Sequence, residues 1–129
     1  MAKIDKKIIR TPDAPQAIGP YSQAVEKNGT LYVSGQIPLE PETGEIVGTN
    51  IREQTRQVLK NLQSIIDAAG YTMNDVVKTT CYLSEMINFP EMNDVYAEYF
   101  RESPPARATV EVNRLPKDVL VEIDAIVVG

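Results

Sequence analysis

Two charged residues sit in stretches whose patterning otherwise belongs to strands. Arg107 lies in the run Ala106 to Val112 and Glu122 in the run Val119 to Val128, either side of the turn-prone Leu115-Pro116-Lys117-Asp118. The planar arginine fork suits a carboxylate, which it can hold by two charge-assisted hydrogen bonds worth ~1.5 to 3 kcal/mol each. A glutamate whose surroundings raise its pKa toward neutrality can take a proton from an attacking water or hand one to a departing group. The competing reading of the pair is a structural ion pair between neighbouring strands.

Period-2 alternation decides which way each points. Ala108, Val110 and Val112 share one face of the first run, and Arg107, Thr109 and Glu111 the other. In the second run Val119, Val121, Ile123, Ala125 and Val127 form an apolar face, while Leu120, Glu122, Asp124, Ile126 and Val128 form a mixed one. The turn signal makes the runs a β-hairpin or two neighbouring strands. With both apolar faces on the core, Arg107 and Glu122 project from the same side of the sheet.

The elements that must carry these strands follow from the rest of the chain. Lys6 to Arg10 is a short strand that Thr11-Pro12-Asp13-Ala14-Pro15 ends. Ser22 to Lys27 and Thr30 to Gln36 are strands joined by Asn28-Gly29, the strongest short-range signal for a type I′ hairpin. Glu40 to Gly48 lacks an apolar period and reads as a surface loop. From Ile51 to Ala69 a helix is predicted: Ile51, Val58, Leu62, Ile65 and Ala69, with Leu59 and Ile66, make one stripe, and Arg52, Glu53, Arg56, Lys60 and Asn61 face water. Asn50 with Glu53 resembles a capping box, and Gly70 occupies the C′ position. Asp75 to Glu85 returns to period 2, with Val77, Thr79, Cys81 and Leu83 on one face. A second helix starts at Asn88, with Pro90 in its first turn, Glu91 completing a cap, and Phe89, Met92, Val95, Tyr96, Tyr99 and Phe100 on its apolar side. Three strands, a helix, a strand, a helix and two strands make a single α+β domain over residues 1–129, with one mixed sheet and both helices on one face. The uncovered side then carries Leu120, Ile126 and Val128 beside charge, which suits a subunit interface.

Composition narrows the chemistry. The 129 residues are 43% hydrophobic and 24% charged, ordinary for a soluble globular protein. The charged start, Met1-Ala2-Lys3-Ile4-Asp5-Lys6-Lys7, has no signal-peptide core and no run approaches a membrane span, so a cytoplasmic protein is expected. There is no His, the commonest metal ligand and acid-base group, and Cys81 is the single cysteine, so neither a metal site nor an intrachain disulfide is expected. Cys81, in the small-residue row of a strand, reads as a buried inert thiol. A net charge of -5 gives no footprint for nucleic acid or anionic membrane.

The motifs are also those of a known family. Pro105-Ala106-Arg107, Arg114-Leu115-Pro116-Lys117-Asp118 and Val121-Glu122-Ile123 resemble the C-terminal signature of the RidA (YjgF) family of enamine/imine deaminases. Ala17-Ile18-Gly19-Pro20-Tyr21-Ser22, Ser34-Gly35-Gln36-Ile37-Pro38, Thr43-Gly44-Glu45, Ala68-Ala69-Gly70 and Val77-Lys78-Thr79-Thr80 are similar to it too, in order, over nearly the whole chain. The resemblance implies a chorismate-mutase-like fold and a homotrimer with clefts between subunits. It further implies hydrolysis, without cofactor or metal, of 2-imino acids released by pyridoxal-phosphate enzymes, such as 2-iminobutanoate and 2-iminopropanoate, to 2-keto acids and ammonia, protecting the cell from these reactive species. On that reading Arg107 anchors the substrate carboxylate and Glu122 moves protons through water. Tyr21 orients water or substrate through its hydroxyl, and Gly35 lets backbone approach the ligand. The family pattern also brings Asn93 and Thr109 to the cleft. Many relatives carry cysteine where this chain has Thr109, which removes any thiol role there and leaves a hydroxyl or backbone N–H contact.

Three classes of function are thereby defined. The first is the imine deaminase. The second is a non-catalytic trimer that binds keto acids or other small carboxylates in the same arginine cleft. The third acts on RNA as a ribonuclease or translation inhibitor, against which stand the negative charge, the lack of His and the absence of an aromatic platform readable in sequence. Having both Arg107 and Glu122 favours the first, because binding an anion has no evident use for an opposed carboxylate.

Overall fold

Asn28 and Gly29 both hold left-handed backbone, with φ of 51° and 79°, so the turn between the second and third strands has the type I′ form that twists as strands do. In the structure, a computed structural model describing residues 5–129, six strands and two helices follow in the order β1 (Lys7–Ile9), β2 (Ala24–Lys27), β3 (Thr30–Gln36), α1 (Ile51–Ala68), β4 (Val76–Leu83), α2 (Phe89–Tyr99), β5 (Ala106–Glu111) and β6 (Val121–Val128). Lys3 and the start of the charged terminal run lie outside the described residues. This element order is the one the periodicities predict.

Local chemistry sets the helix ends. The Glu53 N–H donates to Asn50 Oδ1 at 2.9 Å, and Glu53 Oε1 accepts from the Thr49 N–H at 3.0 Å, one residue earlier than a standard capping box would take it. At the other end Gly70, at φ 88°, donates to Asp67 O and Tyr71 donates to Ile66 O, the paired bonds of a Schellman stop. The second helix is entered differently from the sequence expectation. A 3₁₀ turn, Met86–Asn88, runs into α2, so Asn88 has helical backbone and makes no side-chain cap.

Both helices cover the same face of one mixed sheet whose order is β1-β2-β3-β6-β4-β5. Strand β6 runs antiparallel to both neighbours, while β4 and β5 are parallel and joined through α2, as a parallel pair requires. Strands β5 and β6 are therefore neither a hairpin nor neighbours, the two arrangements the sequence predicts, because β4 lies between them. Residues 112–120 are long enough to cross the intervening strand, two strand spacings of ~4.8 Å each, and the 3₁₀ turn Pro116–Asp118 redirects them with Lys117 and Asp118 at positive φ.

The core lies between sheet and helices, and is built from Leu31, Val33, Val121, Ile123 and Val127 against Val58, Leu59, Leu62, Ile65 and Met92, all buried. Alternation in β4 shifts by one at its start: a register change between Val76 and Lys78 turns Val76 inward and leaves Val77 exposed. Asn61 is a second correction. Instead of facing water it is buried, and its Nδ2 donates to Leu39 O at 3.0 Å and Ile37 O at 3.3 Å, docking the loop after β3 onto α1. Leu120 lies outside β6 and packs against the core, while its N–H donates to the buried Gln54 at 2.8 Å. Across the uncovered face runs an apolar row of register neighbours, Ile8, Val25, Tyr32 and Ile126.

Candidate functional site

Arg107 pairs in register with the fully buried Thr79, so it points to the helix side of the sheet, toward α2. Phe89 and Tyr96 stand two turns apart on α2 and present one face to it. The Arg107 guanidinium lies 4.6 Å from the centre of the Tyr96 ring and 5.4 Å from that of Phe89. Such contacts are worth ~0.5 to 2 kcal/mol and fix the plane of the fork. Tyr96 is itself held, by a 2.7 Å hydrogen bond between its hydroxyl and that of Thr79 and by Phe100, whose ring centre is 4.6 Å away. No carboxylate among the described residues forms an ion pair with Arg107. Its donors remain free for a groove of about 520 Å³ that it lines with Asn93, Tyr96, Arg101 and Pro104.

Glu122 projects from the opposite face. Its register partner on β4 is Tyr82, and both point away from the helices while Val121 and Ile123 fill the core. Space for its carboxyl comes from Gly35, in the register shift between Val33 and Gln36. A Cβ there would collide with the carboxyl, lying 2.9 Å from its carbon and nearer still to Oε2. Half-burial, and then the charge of Asp124, push the Glu122 carboxyl above the usual carboxylate range. Asp124 is held in turn by the Tyr82 hydroxyl, which donates to Oδ2 at 3.1 Å.

Tyr21 occupies a third location. Its ring is 55% exposed and lines a separate groove of about 690 Å³ with Arg10, Gln16 and Gly19. Ser34 ties this loop to β3, its N–H donating to Gln23 O at 2.9 Å and its hydroxyl to Ser22 O at 2.6 Å, next to Gly35 in the chain. Thr109 shares the Arg107 side of β5, but its buried hydroxyl has no hydrogen-bond partner among the described residues and does not line the groove. Across the ladder sits Cys81, fully buried, its thiol pushed up to about 11 by burial, against which the nearby Arg107 charge only partly works.

One chain thus brings Arg107 and Asn93 together, and separately Glu122 and Gly35. It does not put Arg107 and Glu122 on the same side of the sheet, as alternation alone predicts, nor does it pair them as ions. The reason is that β5 is an edge strand: its small residues Ala106 and Ala108, with Val110, look outward, and the charged residue turns inward onto aromatic rings. The aromatic clamp was visible in the sequence only as the apolar stripe of α2. Arg101, immediately after Phe100, had no sequence signal beyond its charge.

Three strands, a helix, a strand, a helix and two strands, with both helices on one face of a single sheet, make this a chorismate-mutase-like α+β fold. A family profile described as Endoribonuclease L-PSP matches residues 11–129, and the chain belongs to this family, the YjgF/RidA family. It is 60% identical over 121 residues to a RutC family protein of Pyrococcus horikoshii, covering 94% of this chain and 96% of that one. It is 48% identical over 128 residues to a 2-iminobutanoate/2-iminopropanoate deaminase of Mus musculus, covering 99% of this chain and 95% of the relative. The crystal structure of E. coli TdcF with bound serine superposes with a TM-score of 0.91 at 44% identity, covering 95% of this chain and 98% of that one.

Proposed function

We propose that this chain hydrolyses 2-imino acids, 2-iminobutanoate and 2-iminopropanoate among them, to 2-keto acids and ammonia, in a ring of identical copies with the site between neighbours. The observation that carries the reading is an arginine with no carboxylate partner among the described residues, clamped by two rings in a groove, in a chain 48% identical to a named deaminase. Arg107 holds the substrate carboxylate, with Asn93 beside it. Because Glu122 faces the other way within one chain, it acts on the substrate held by the next copy. The uncovered sheet face of one copy, with its row of Ile8, Val25, Tyr32 and Ile126, packs near the β5 edge of the next. Two different surfaces then meet, and such a contact makes a ring when its rotation closes, as the three copies that family resemblance implies would.

The chemistry balances simply. Glu122 takes a proton from water as the oxygen bonds to the iminium carbon, giving a carbinolamine. It returns that proton to nitrogen, then takes the hydroxyl proton as the C–N bond breaks and the carbonyl forms, so that ammonia leaves and the proton passes from Glu122 to solvent. A carboxyl raised above its ordinary range is suited to both transfers. Tyr21 orients the water. Gly35 serves as the notch that seats Glu122.

A binding-only role is favoured by one observation, that a related structure holds serine; Arg107 alone serves it. Ammonia release from imines generated in situ separates the readings. Wild type accelerates release. Arg107→Ala loses about 100-fold or more in kcat/KM, as expected for two charge-assisted hydrogen bonds, and Glu122→Gln loses about 100-fold or more in kcat. A folded wild-type oligomer that gives no acceleration rejects the deaminase and leaves carboxylate binding.

A further inference from the structure

The groove beside Arg107 contains a second guanidinium, and no acidic side chain among the described residues lines it. Arg101 lines it from the loop that follows α2, and its other walls come from Asn93, Tyr96, Pro104 and neighbouring uncharged residues. The acidic groups of α2 are engaged elsewhere. Glu91 and Asp94 pair with Arg52 at 3.4 and 2.7 Å, and Glu98 pairs with Arg56 at 3.2 Å, so three carboxylates are drawn to α1 and away from the groove. In a chain of net charge -5 this leaves a local site with two positive charges and no carboxylate among its described lining residues.

The two arginines are also positioned by one piece of structure. Tyr96 carries the Arg107 guanidinium on its ring and stacks against Phe100, which is 5% exposed and directly precedes Arg101. Pro104 and Pro105 then fix φ at two successive residues of the short connection to β5. Arg101 and Arg107 therefore leave a rigid aromatic pair at either end of the same loop, and no carboxylate among the described residues forms an ion pair with either.

Resting on the reading of this groove as the substrate site, we infer that it takes 2-imino acids carrying a second carboxylate, with Arg107 on the carboxylate next to the imine and Arg101 on the distal one. Arg101 is then a specificity-determining residue, favouring substrates derived from acidic amino acids over those with short alkyl side chains. Since Arg101 is exposed, its contribution is that of a screened charge-assisted contact, about fivefold to tenfold at low salt.

The test uses the full chain. Imines are generated in situ by oxidases acting on aspartate or glutamate and on alanine or 2-aminobutyrate, and the ratio of kcat/KM for dicarboxylic over monocarboxylic substrates is measured. The ratio is expected to fall about fivefold to tenfold in Arg101→Gln through KM, to recover in part in Arg101→Lys, and to shrink in wild type as salt is raised. A ratio unaltered by Arg101→Gln overturns the inference while leaving the deaminase reading intact. If wild type hydrolyses neither class, calorimetric binding of 2-oxoglutarate and of 2-oxobutanoate gives the same ratio. Tighter 2-oxoglutarate binding that Arg101→Gln abolishes supports the two-arginine site without catalysis, and equal binding rejects it.

Discussion

Replacing Gly35 by alanine separates the position of Glu122 from the stability of the sheet. Gly35 has no positive φ, so alanine brings no backbone strain. Its methyl would lie 2.9 Å from the carboxyl carbon of Glu122 and 3.1 Å from Cγ, against an ordinary contact of 3.4–4 Å. The carboxyl must therefore retreat by at least about half an ångström at its carbon, and further at Oε2, which is nearer the methyl. What moves is the far end of a flexible side chain, so the stability cost is small, about 1 kcal/mol or less. Catalysis is less forgiving, because misplacing a reacting group by about 1 Å can cost ~100-fold. Gly35→Ala is expected to keep its denaturation midpoint near wild type and its KM nearly unaltered, while kcat falls about 100-fold. Added to Glu122→Gln, it is expected to cost almost nothing more, since the two changes remove the same function. Full activity in a folded Gly35→Ala protein would refute the role of the notch, and so would losses that simply multiply in the double variant.

Other outcomes follow from the same structure. Thr79→Val and Tyr96→Phe each break a buried 2.7 Å hydrogen bond; each is expected to lose about 1 to 3 kcal/mol in urea unfolding, and the double variant little more than either. The raised pKa of Glu122, caused first by burial and then by Asp124, means that the folded state binds its proton more tightly than the unfolded chain. Stability attributable to this group is thus greatest below the ordinary carboxylate range and declines as pH rises through the raised value. Glu122→Gln is expected to gain stability relative to wild type as pH passes through that window, measured as the difference in urea midpoints. If Glu122 is the proton carrier, wild-type kcat/KM is expected to rise as it ionises, and Asp124→Asn is expected to shift that acid limb to lower pH. Cys81, its thiol pushed up to about 11 in a fully buried site, is expected to react with a thiol probe only as fast as the protein unfolds.

Much of this architecture is legible in the residues. Asn28-Gly29, the stripe from Ile51 to Ile66 and the Gly70 stop each have one dominant local solution, and the structure adopts it. The pairing of β5 was not legible, because a turn signal at Leu115–Asp118 says that the chain bends and not which strand lies beside it. That error carried into the site. Alternation gives two faces per strand but not their relation across an intervening strand, and on edge strand β5 alanine costs little when exposed while arginine gains aromatic contacts inside. Asn61 departs from its sequence expectation for a similar reason: a polar residue beside an apolar stripe looks solvated until a loop arrives with unpaired carbonyls to satisfy. Residue types identified Arg107 and Glu122, whereas the notch, the ring clamp and the separation of the two residues needed the fold.

That separation is the central claim in its most exposed form, since it requires each working site to draw Arg107 from one copy and Glu122 from another. Arg107→Ala and Glu122→Gln, each inactive alone, can be unfolded together in equal amounts and refolded into mixed oligomers, and ammonia release then measured. With random assembly about a quarter of the sites join an intact Arg107 to an intact Glu122 of the next copy, so about a quarter of wild-type activity is expected to return. Mixed oligomers as inactive as either parent would contradict the account and put both residues to work within a single chain.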